Sequence, residues 1–540
     1  MTSSKLRATP IPITMLSGFL GSGKTTLLQK ILTADHGLKV AVIINDMSEI
    51  NIDSALIQNN RICQKEEKLI QLQNGCICCT LRGDLLEELV RVCEMGDINY
   101  IIIESTGIAE PMQVAETFAQ EFSDILLNMP GGIAEEEEAI LKKVSSMGGL
   151  QALAKIDTCV TVVDALNFLS NINTTQFLAD RWGDSGQGES ERTITDLMVD
   201  QIEFSNLVIL NKKSLVGKKK LQKIKKMIHV LNPLCKIVTT DYCDIPIKSV
   251  LNTGLYDFEK ASTAAGWLQS INEMTVVEGF GEKKRKILSP KPETEEYNVN
   301  NFVYRQRRPF HPQRLYEALK NKFMVIEHAG VEGFPGDGEY DDEDGEEGEE
   351  DEDEGVEDEE DEEDEEDEED EEDEEDGEEL SEAQINANRA HSPFGPVLRS
   401  KGFIWLATRF IVRGEWSSAG PVLTVKGGLP WFDFSGFEDV PLEALELIKK
   451  DFEEPYGDRR NELVFIGIGL DVKAITRELD SCLLDDKEFK LYEKITKGGN
   501  ALQVDEESVK IWDDGFEDWM TFADVDDEEE EKAENGQQKT

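Results

Sequence analysis

Short, unbroken apolar runs alternate with helical patterns through the first half of the chain. The runs are Ile11–Ser17, Val40–Asn45, Tyr100–Glu104, Cys159–Val163, Leu207–Leu210 and Lys236–Thr239. Apolar residues at consecutive positions fit strands buried on both faces of a parallel sheet. Between them, Lys24–Leu32 and Gly83–Cys93 repeat their apolar residues at helical spacing. This alternation predicts an α/β fold, a mainly parallel doubly wound sheet over residues 1–265. From Gln269 to Tyr297 the pattern gives way to Glu, Lys, Pro and Gly, which predicts a linker over 266–296. Beyond it, Val299–Tyr304, Phe403–Thr408, Val422–Val425 and Leu463–Ile468 read as strands, and Gln313–Lys322 and Val472–Leu484 as helices. A smaller α+β domain is expected over 297–330 and 390–523.

Charge changes this picture at one place. The 540 residues carry a net charge of -56 from 112 acidic and 56 basic side chains. Of the acids, 36 fall within the 43 positions from Asp337 to Glu379, where no Lys or Arg occurs. Without that stretch the chain holds 76 acidic against 56 basic residues, an ordinary globular balance. A tract with almost no apolar residues cannot offset the entropy of ordering it, so a disordered insert is expected over 331–389. A disordered acidic tail is expected over 524–540. The charge disfavours nucleic-acid binding through a basic surface. No apolar run reaches the roughly 20 residues a bilayer span needs, and the first ten residues lack the apolar core of a signal peptide. The expected compartment is the cytoplasm, with the nucleus as the alternative.

The first strand leads into Gly18-Phe-Leu-Gly-Ser-Gly-Lys-Thr25, which fits the phosphate-loop pattern GxxxxGK[ST] between a strand and a helix. Gly18, Gly21, Ser22, Gly23, Lys24, Thr25 and Thr26 are therefore candidate nucleotide-binding residues. Backbone amides at the helix start would surround the phosphates. Lys24 would bridge the β- and γ-phosphates and Thr25 would ligate Mg²⁺. The run ending at Glu104 places an acid where a second Mg²⁺-facing carboxylate belongs, and the Gly107 amide lies where a γ-phosphate would be sensed. Asp46, directly after the Val40–Asn45 run, is a further candidate facing Mg²⁺. Asn211-Lys212-Lys213-Ser214 occupies the place of a guanine-reading NKxD loop, with Ser214 where the acid belongs. Serine offers no paired carboxylate, so another acid is needed for guanine preference.

Asn74-Gly-Cys76-Ile-Cys78-Cys79-Thr80 puts three thiols in four residues just before a helix. Thiolates suit Zn²⁺ and Cu⁺, and three ligands leave a fourth position open for exchange. The helix start and Arg82 favour the thiolate form. The other six cysteines, Cys63, Cys93, Cys159, Cys235, Cys243 and Cys482, are scattered and read as core or neutral positions.

Taken together, GFLGSGKTTLL, AVIINDMSEINID, LQNGCICCTLRGDLLEEL, IIESTGIAEP, VTVVDA and DQIEFSNLVILNK resemble the CobW-like GTPases. FVYRQRRPFHPQRL, LRSKGFIWLATR and GEWSSAG extend the resemblance into the second half. The resemblance implies an N-terminal GTPase domain, a C-terminal α+β domain, and a GTP-dependent metallochaperone. On this resemblance a metal, most often zinc, binds at Cys76, Cys78 and Cys79 and passes to a client metalloprotein as GTP is hydrolysed. Glu49 matches a family acid and is a further metal candidate. Cobalt handling for cobalamin synthesis is the rival within the fold. Outside it, the rivals are a nucleotide-switched adaptor whose thiols are structural and a metal sensor or store with little turnover.

Three weaker signals complete the reading. The acidic tract is expected to act as a solvated spacer, to meet a basic protein partner, or to fold back on Lys218–Lys226, a helix with six lysines. His311, flanked by prolines, reads as a helix-start residue in preference to part of a partner or nucleotide-sensing surface. Trp405 and Trp416 read as core residues of the second domain.

Overall fold

The computed structural model describes residues 9–45, 68–72, 81–94, 98–105, 111–116, 149–182, 192–257, 275–278, 285–288, 299–327, 380–437, 448–498 and 500–517, with a few single positions between them. Strands are β1 Ile11–Ser17, β2 Val40–Asn45, β3 Lys68–Leu72, β4 Tyr100–Glu104, β5 Ala154–Asp164, β6 Leu207–Asn211 and β7 Lys236–Thr239 in the first sheet. Then come β8 Thr275–Glu278, β9 Arg285–Leu288, β10 Val299–Gln306, β11 Met324–Ile326, β12 Val397–Ile404, β13 Val412–Ala419, β14 Val422–Pro430 and β15 Asn461–Ile468. Helices of eight or more residues are α1 Lys24–Thr33, α2 Leu81–Glu94, α3 Ile194–Glu203, α4 Lys218–Leu231, α5 Pro312–Leu319, α6 Glu382–Ala390, α7 Val472–Cys482, α8 Asp486–Gly498 and α9 Ala501–Val509.

The first sheet runs β3-β2-β4-β1-β5-β6-β7, and every pairing in it is parallel. Its strands are apolar at consecutive positions because both faces are covered. One face packs Ile13, Ile101 and Ile103 against α2, and the other packs Leu16, Val42 and Ile102 against α1. All seven strands therefore end at one edge, where ligands bind in open α/β sheets. The second sheet runs β10-β15-β12-β13-β14-β11, antiparallel except for the β11–β14 pair. Leu315 and Leu319 of α5 and Ile475 and Leu479 of α7 fill its core with Trp416 and Phe465. Trp405, Tyr492 of α8 and Val504 of α9 form a separate aromatic cluster. The chain is thus an α/β fold with a smaller mixed β domain after the parallel sheet.

Three features differ from the sequence reading. Within the expected linker, β8 and β9 pair antiparallel, Thr275 opposite Leu288, so the β-branched run Thr275-Val-Val277 inside Lys- and Glu-rich flanks sufficed for a ribbon. The expected Phe403–Thr408 strand lies earlier, at Val397–Ile404. Trp405, Leu406 and Ala407 are fully buried but sit past the strand end, plugging the core. The true strand was obscured because its Arg399, Ser400 and Lys401 are polar; the first two are buried against partners in α3 and β13. β13 went unread because Arg413, Glu415 and Ser417 alternate with inward residues. His311 is the residue before α5, with Pro312 in its first turn, and Trp405 and Trp416 are buried, as expected.

Candidate functional site

The loop between β1 and α1 is built from glycines that no other residue replaces. Gly18, Gly21 and Gly23 have φ of 128°, 73° and 115°, backbone that L side chains rarely adopt. A Cβ on Gly18 would lie 2.2 Å from the Val162 carbonyl, and one on Gly23 would lie 2.6 Å from Asn211 Nδ2. Lys24 Nζ reaches back across the loop to donate to the Gly18 carbonyl at 2.7 Å. Thr25 and Thr26 follow in the first turn of α1 and are half-buried. Ser22 is 1% exposed, and its Oγ has no hydrogen-bond partner among the described residues. A buried orphan hydroxyl inside a ring of amides fits an anionic oxygen as its partner.

Asn211, at the end of β6, ties this loop to the rest of the edge. Its Nδ2 donates to the Ser22 carbonyl at 2.9 Å, and its Oδ1 accepts from the Cys243 amide at 3.1 Å. Lys212 adopts the left-handed conformation, φ 58°, and pairs with Asp164 at the end of β5, Nζ to Oδ2 2.8 Å. Asp241, just past β7, accepts from the Ser214 amide at 2.8 Å. That hydrogen bond, with Lys213 nearby, holds its carboxyl below the ordinary range. A carboxylate is thus fixed beside Ser214, where the sequence lacked one.

Glu104 ends β4 and is buried, level with Leu16 of β1 and Ile44 of β2. Three residues on, Gly107 packs on the phosphate loop so closely that a Cβ there would meet the Leu20 amide at 2.8 Å. Its carbonyl accepts from Gln201 Nε2 at 3.2 Å. Gln201 lies on α3, whose backbone also takes a bond from Thr161 of β5. On another face of α3, Asp196, Asp200 and Glu203 surround Arg399 of β12 at 2.7, 2.9 and 3.5 Å. Burial by itself would raise the Asp196 carboxyl, but the charges of Arg399 and Arg192 outweigh it and hold it low. α3 therefore touches the Gly107 segment that packs on the phosphate loop and the second domain at once.

Asp46, Glu49, Cys76, Cys78 and Cys79 lie outside the described residues. β2 and β3 are neighbours, with Asn45 opposite Leu72, so both leave the sheet at the edge that carries the phosphate loop. Asp46 follows β2 directly, and Cys76 stands four positions after β3. Among the described residues no group of three His, Cys, Asp or Glu is arranged to hold a metal. The described cysteines are separate thiols. Burial pushes Cys243 up to about 11 and Cys235 up to about 12, so both stay protonated at neutral pH.

Gln201, Asp164, Asp241 and Arg399 are the site residues that the sequence reading missed. Gln201 sits inside DQIEFSNLVILNK and Asp164 inside VTVVDA, stretches already noted for their resemblance. Asp241 had no motif to mark it.

The parallel sheet, the glycine loop and the strand-end acid define a P-loop enzyme that hydrolyses nucleoside triphosphate. The chain belongs to the CobW family of P-loop GTPases. The family model described as CobW/HypB/UreG, nucleotide-binding domain, matches residues 12–129 and 120–239. The cobalamin synthesis protein cobW C-terminal domain model matches residues 376–483. Among curated relatives, the Dictyostelium discoideum protein named zinc-regulated GTPase metalloprotein activator 1 is 34% identical over 508 residues, covering 92% of this chain and 85% of that protein. The protein of the same name from Schizosaccharomyces pombe is 28% identical over 49% of this chain and 55% of its own length. The zinc chaperone YjiA of Escherichia coli is 41% identical over 20% of this chain and 34% of its own length. No described helix is long and apolar enough to cross a membrane.

Proposed function

We propose that this chain is a GTP-dependent zinc chaperone that binds zinc through Cys76, Cys78 and Cys79, assisted by Glu49, and releases it to a client metalloprotein on hydrolysis. The observation that carries this reading is the shared sheet edge. β1, β2, β3 and β4 run parallel and end together, and the sequence after each holds the phosphate loop, Asp46, the thiols and Gly107. The names of the relatives from Dictyostelium and Escherichia coli support zinc as the cargo.

Substrate binding follows from the residues. The loop amides and Ser22 Oγ take the phosphate oxygens, and Lys24 exchanges the Gly18 carbonyl for them. Thr25, Asp46 and Glu104 offer hard oxygen donors suited to Mg²⁺, which when bound neutralises charge between the β- and γ-phosphates. Asn211 holds the base-side loop, and Asp241 supplies the carboxylate that Ser214 lacks. Gly107 senses the γ-phosphate; Gln201 passes its position to α3 and so to Arg399. No arginine is assigned to the transferring phosphoryl group, so turnover without a partner is slow.

Zinc titration of the full chain against a chromophoric chelator tests the thiol assignment. Wild type is expected to compete for zinc, and a Cys76→Ser/Cys78→Ser/Cys79→Ser variant to lose that competition while still binding Mg²⁺-GTP. Unchanged zinc affinity in the variant would overturn the assignment. For the base, Asp241→Ala is expected to narrow the preference for GTP over ATP in competition binding, and an unchanged ratio would remove Asp241 from guanine recognition.

A further inference from the structure

A cleft of about 810 Å³ lies between the two domains, away from the phosphate loop. One wall is α4, which presents Lys223, Lys225, Lys226 and His229; the other includes Arg389 of α6 and the turn before β12. Among the described residues no Asp or Glu lines it. Among the described residues, Lys223, Lys225 and Lys226 form no ion pair. Arg389 is the more telling residue. It is 5% exposed, its guanidinium bonds the Val397 carbonyl and lies over the Phe323 ring, and its Nε has no partner. No described carboxylate faces it, and burial alone pushes it down to about 10. A buried cation without a counter-charge is costly, and here it lines a cleft whose other charged side chains are also basic.

The chain itself brings the missing charge to this place. Residues 328–379 lie outside the described set, and 36 of the acids fall in 337–379. The chain returns at Leu380, and Ser381 at once caps α6 through a reciprocal bond pair with Gln384. The first turn of α6 is fastened to the cleft's rim. Glu382 accepts from the Thr174 hydroxyl at 2.8 Å and the Thr175 amide at 3.0 Å, and Asn386 donates to the carbonyl of Asn173, a lining residue, at 2.9 Å. The acidic segment therefore ends at the mouth of the basic cleft. Tethering of this kind gives an effective concentration of about millimolar order without any new contact.

We propose that residues 337–379 dock in the cleft between α4 and α6, their carboxylates meeting Lys223, Lys225, Lys226 and Arg389. The segment then bridges the GTPase domain to the second domain, and a basic partner competes with the cleft for it. Polyanionic recognition here needs no fixed register, because the repeated Asp-Glu-Glu sequence offers a carboxylate at almost every position.

Zero-length carbodiimide cross-linking of the full chain, followed by peptide mapping, tests this. An equal mixture of ¹⁴N and ¹⁵N protein separates links within a chain from links between chains. The expected links join 337–379 to Lys223, Lys225 and Lys226 within one chain, in preference to Lys218, Lys219 and Lys248. They should be lost at about 1 M salt, where the screening length falls to about 3 Å. A Lys223→Gln/Lys226→Gln chain should lose the preference for Lys225 over Lys218, and its α4 amides should exchange hydrogen faster at low salt. Links spread evenly over all lysines, links only between chains, or no links would each overturn the proposal. Links between chains would identify an acidic segment from another molecule as the occupant.

Discussion

Replacing Arg399 with Met should destabilise the protein more than its position in a mostly polar stretch of strand suggests. The guanidinium is 1% exposed, and the side chains around it are 5% exposed at Glu203, 15% at Asp200 and 30% at Asp196. Methionine fills most of the volume but removes the cation that meets all three carboxylates, leaving Asp196 and Asp200 to Arg192. Removing one partner of a buried ion cluster costs about 3–5 kcal/mol, mostly the penalty of charge left unpaired. For a domain of this size about 1 kcal/mol shifts the melting midpoint by about 2–4 °C, so a fall of about 6–20 °C is expected. Thermal unfolding followed by circular dichroism at pH 7 reads it directly. The control is Arg399→Met combined with Glu203→Gln, which removes the most buried of the three charges and should recover part of the loss. Arg399→Lys should rescue poorly, because an ammonium cannot span three carboxylates as a guanidinium does. If Arg399→Met melts within about 1 kcal/mol of wild type, or if the double variant is no better than the single, the reasoning fails.

Two other outcomes follow from the same geometry. Gly23→Ala should abolish nucleotide binding, since φ of 115° and the 2.6 Å approach to Asn211 leave no room for a methyl group; retained binding by fluorescent-nucleotide titration would contradict the loop description. Stability should also carry a component that falls as pH rises from about 4 to about 7. Burial pushes Glu327 up to about 7 and Asp505 up to about 6, above unfolded values of about 4.3 and 3.9. The folded state therefore binds more protons than the unfolded one across this window, and stability is lost on deprotonation. Glu488 has the opposite sign. Its hydrogen bond to Arg314 lowers it to about 2, so its contribution is full above about 4.3 and is lost as pH falls towards 2. Urea midpoints of wild type and Glu327→Gln/Asp505→Asn at pH 5 and pH 8 separate the two; a wild-type slope unchanged in the variant would refute the assignment.

What the sequence made legible was whatever rested on local chemistry. The six apolar runs all became strands of the parallel sheet; the central ones are buried along their length, whereas β7 is an edge strand, exposed at Lys236 and half-buried beyond it. The glycine loop was legible because its backbone admits no other residue. What stayed hidden depended on partners distant in sequence. Arg399 looks like a solvent-facing residue until α3 supplies three acids some 200 positions earlier. Asp241 looks like a turn acid until β7 places it beside Ser214. β3 was missed because Lys68-Leu-Ile-Gln-Leu72 is only five residues long, with polar Lys68 and Gln71 interrupting its apolar positions, and it joins the sheet as its edge. Gln201 carries no signal of its own; its role exists only because Gly107 packs on Leu20 and turns its carbonyl towards α3.

The central claim is that nucleotide and zinc are linked through one sheet edge. The direct test is zinc affinity of the full chain by chelator competition, without nucleotide and with saturating Mg²⁺-GTP, repeated with Gly23→Ala. A shift of about 1–3 kcal/mol between nucleotide states, absent in Gly23→Ala, is the expected result. Equal zinc affinities in both states of the wild-type protein would contradict the account.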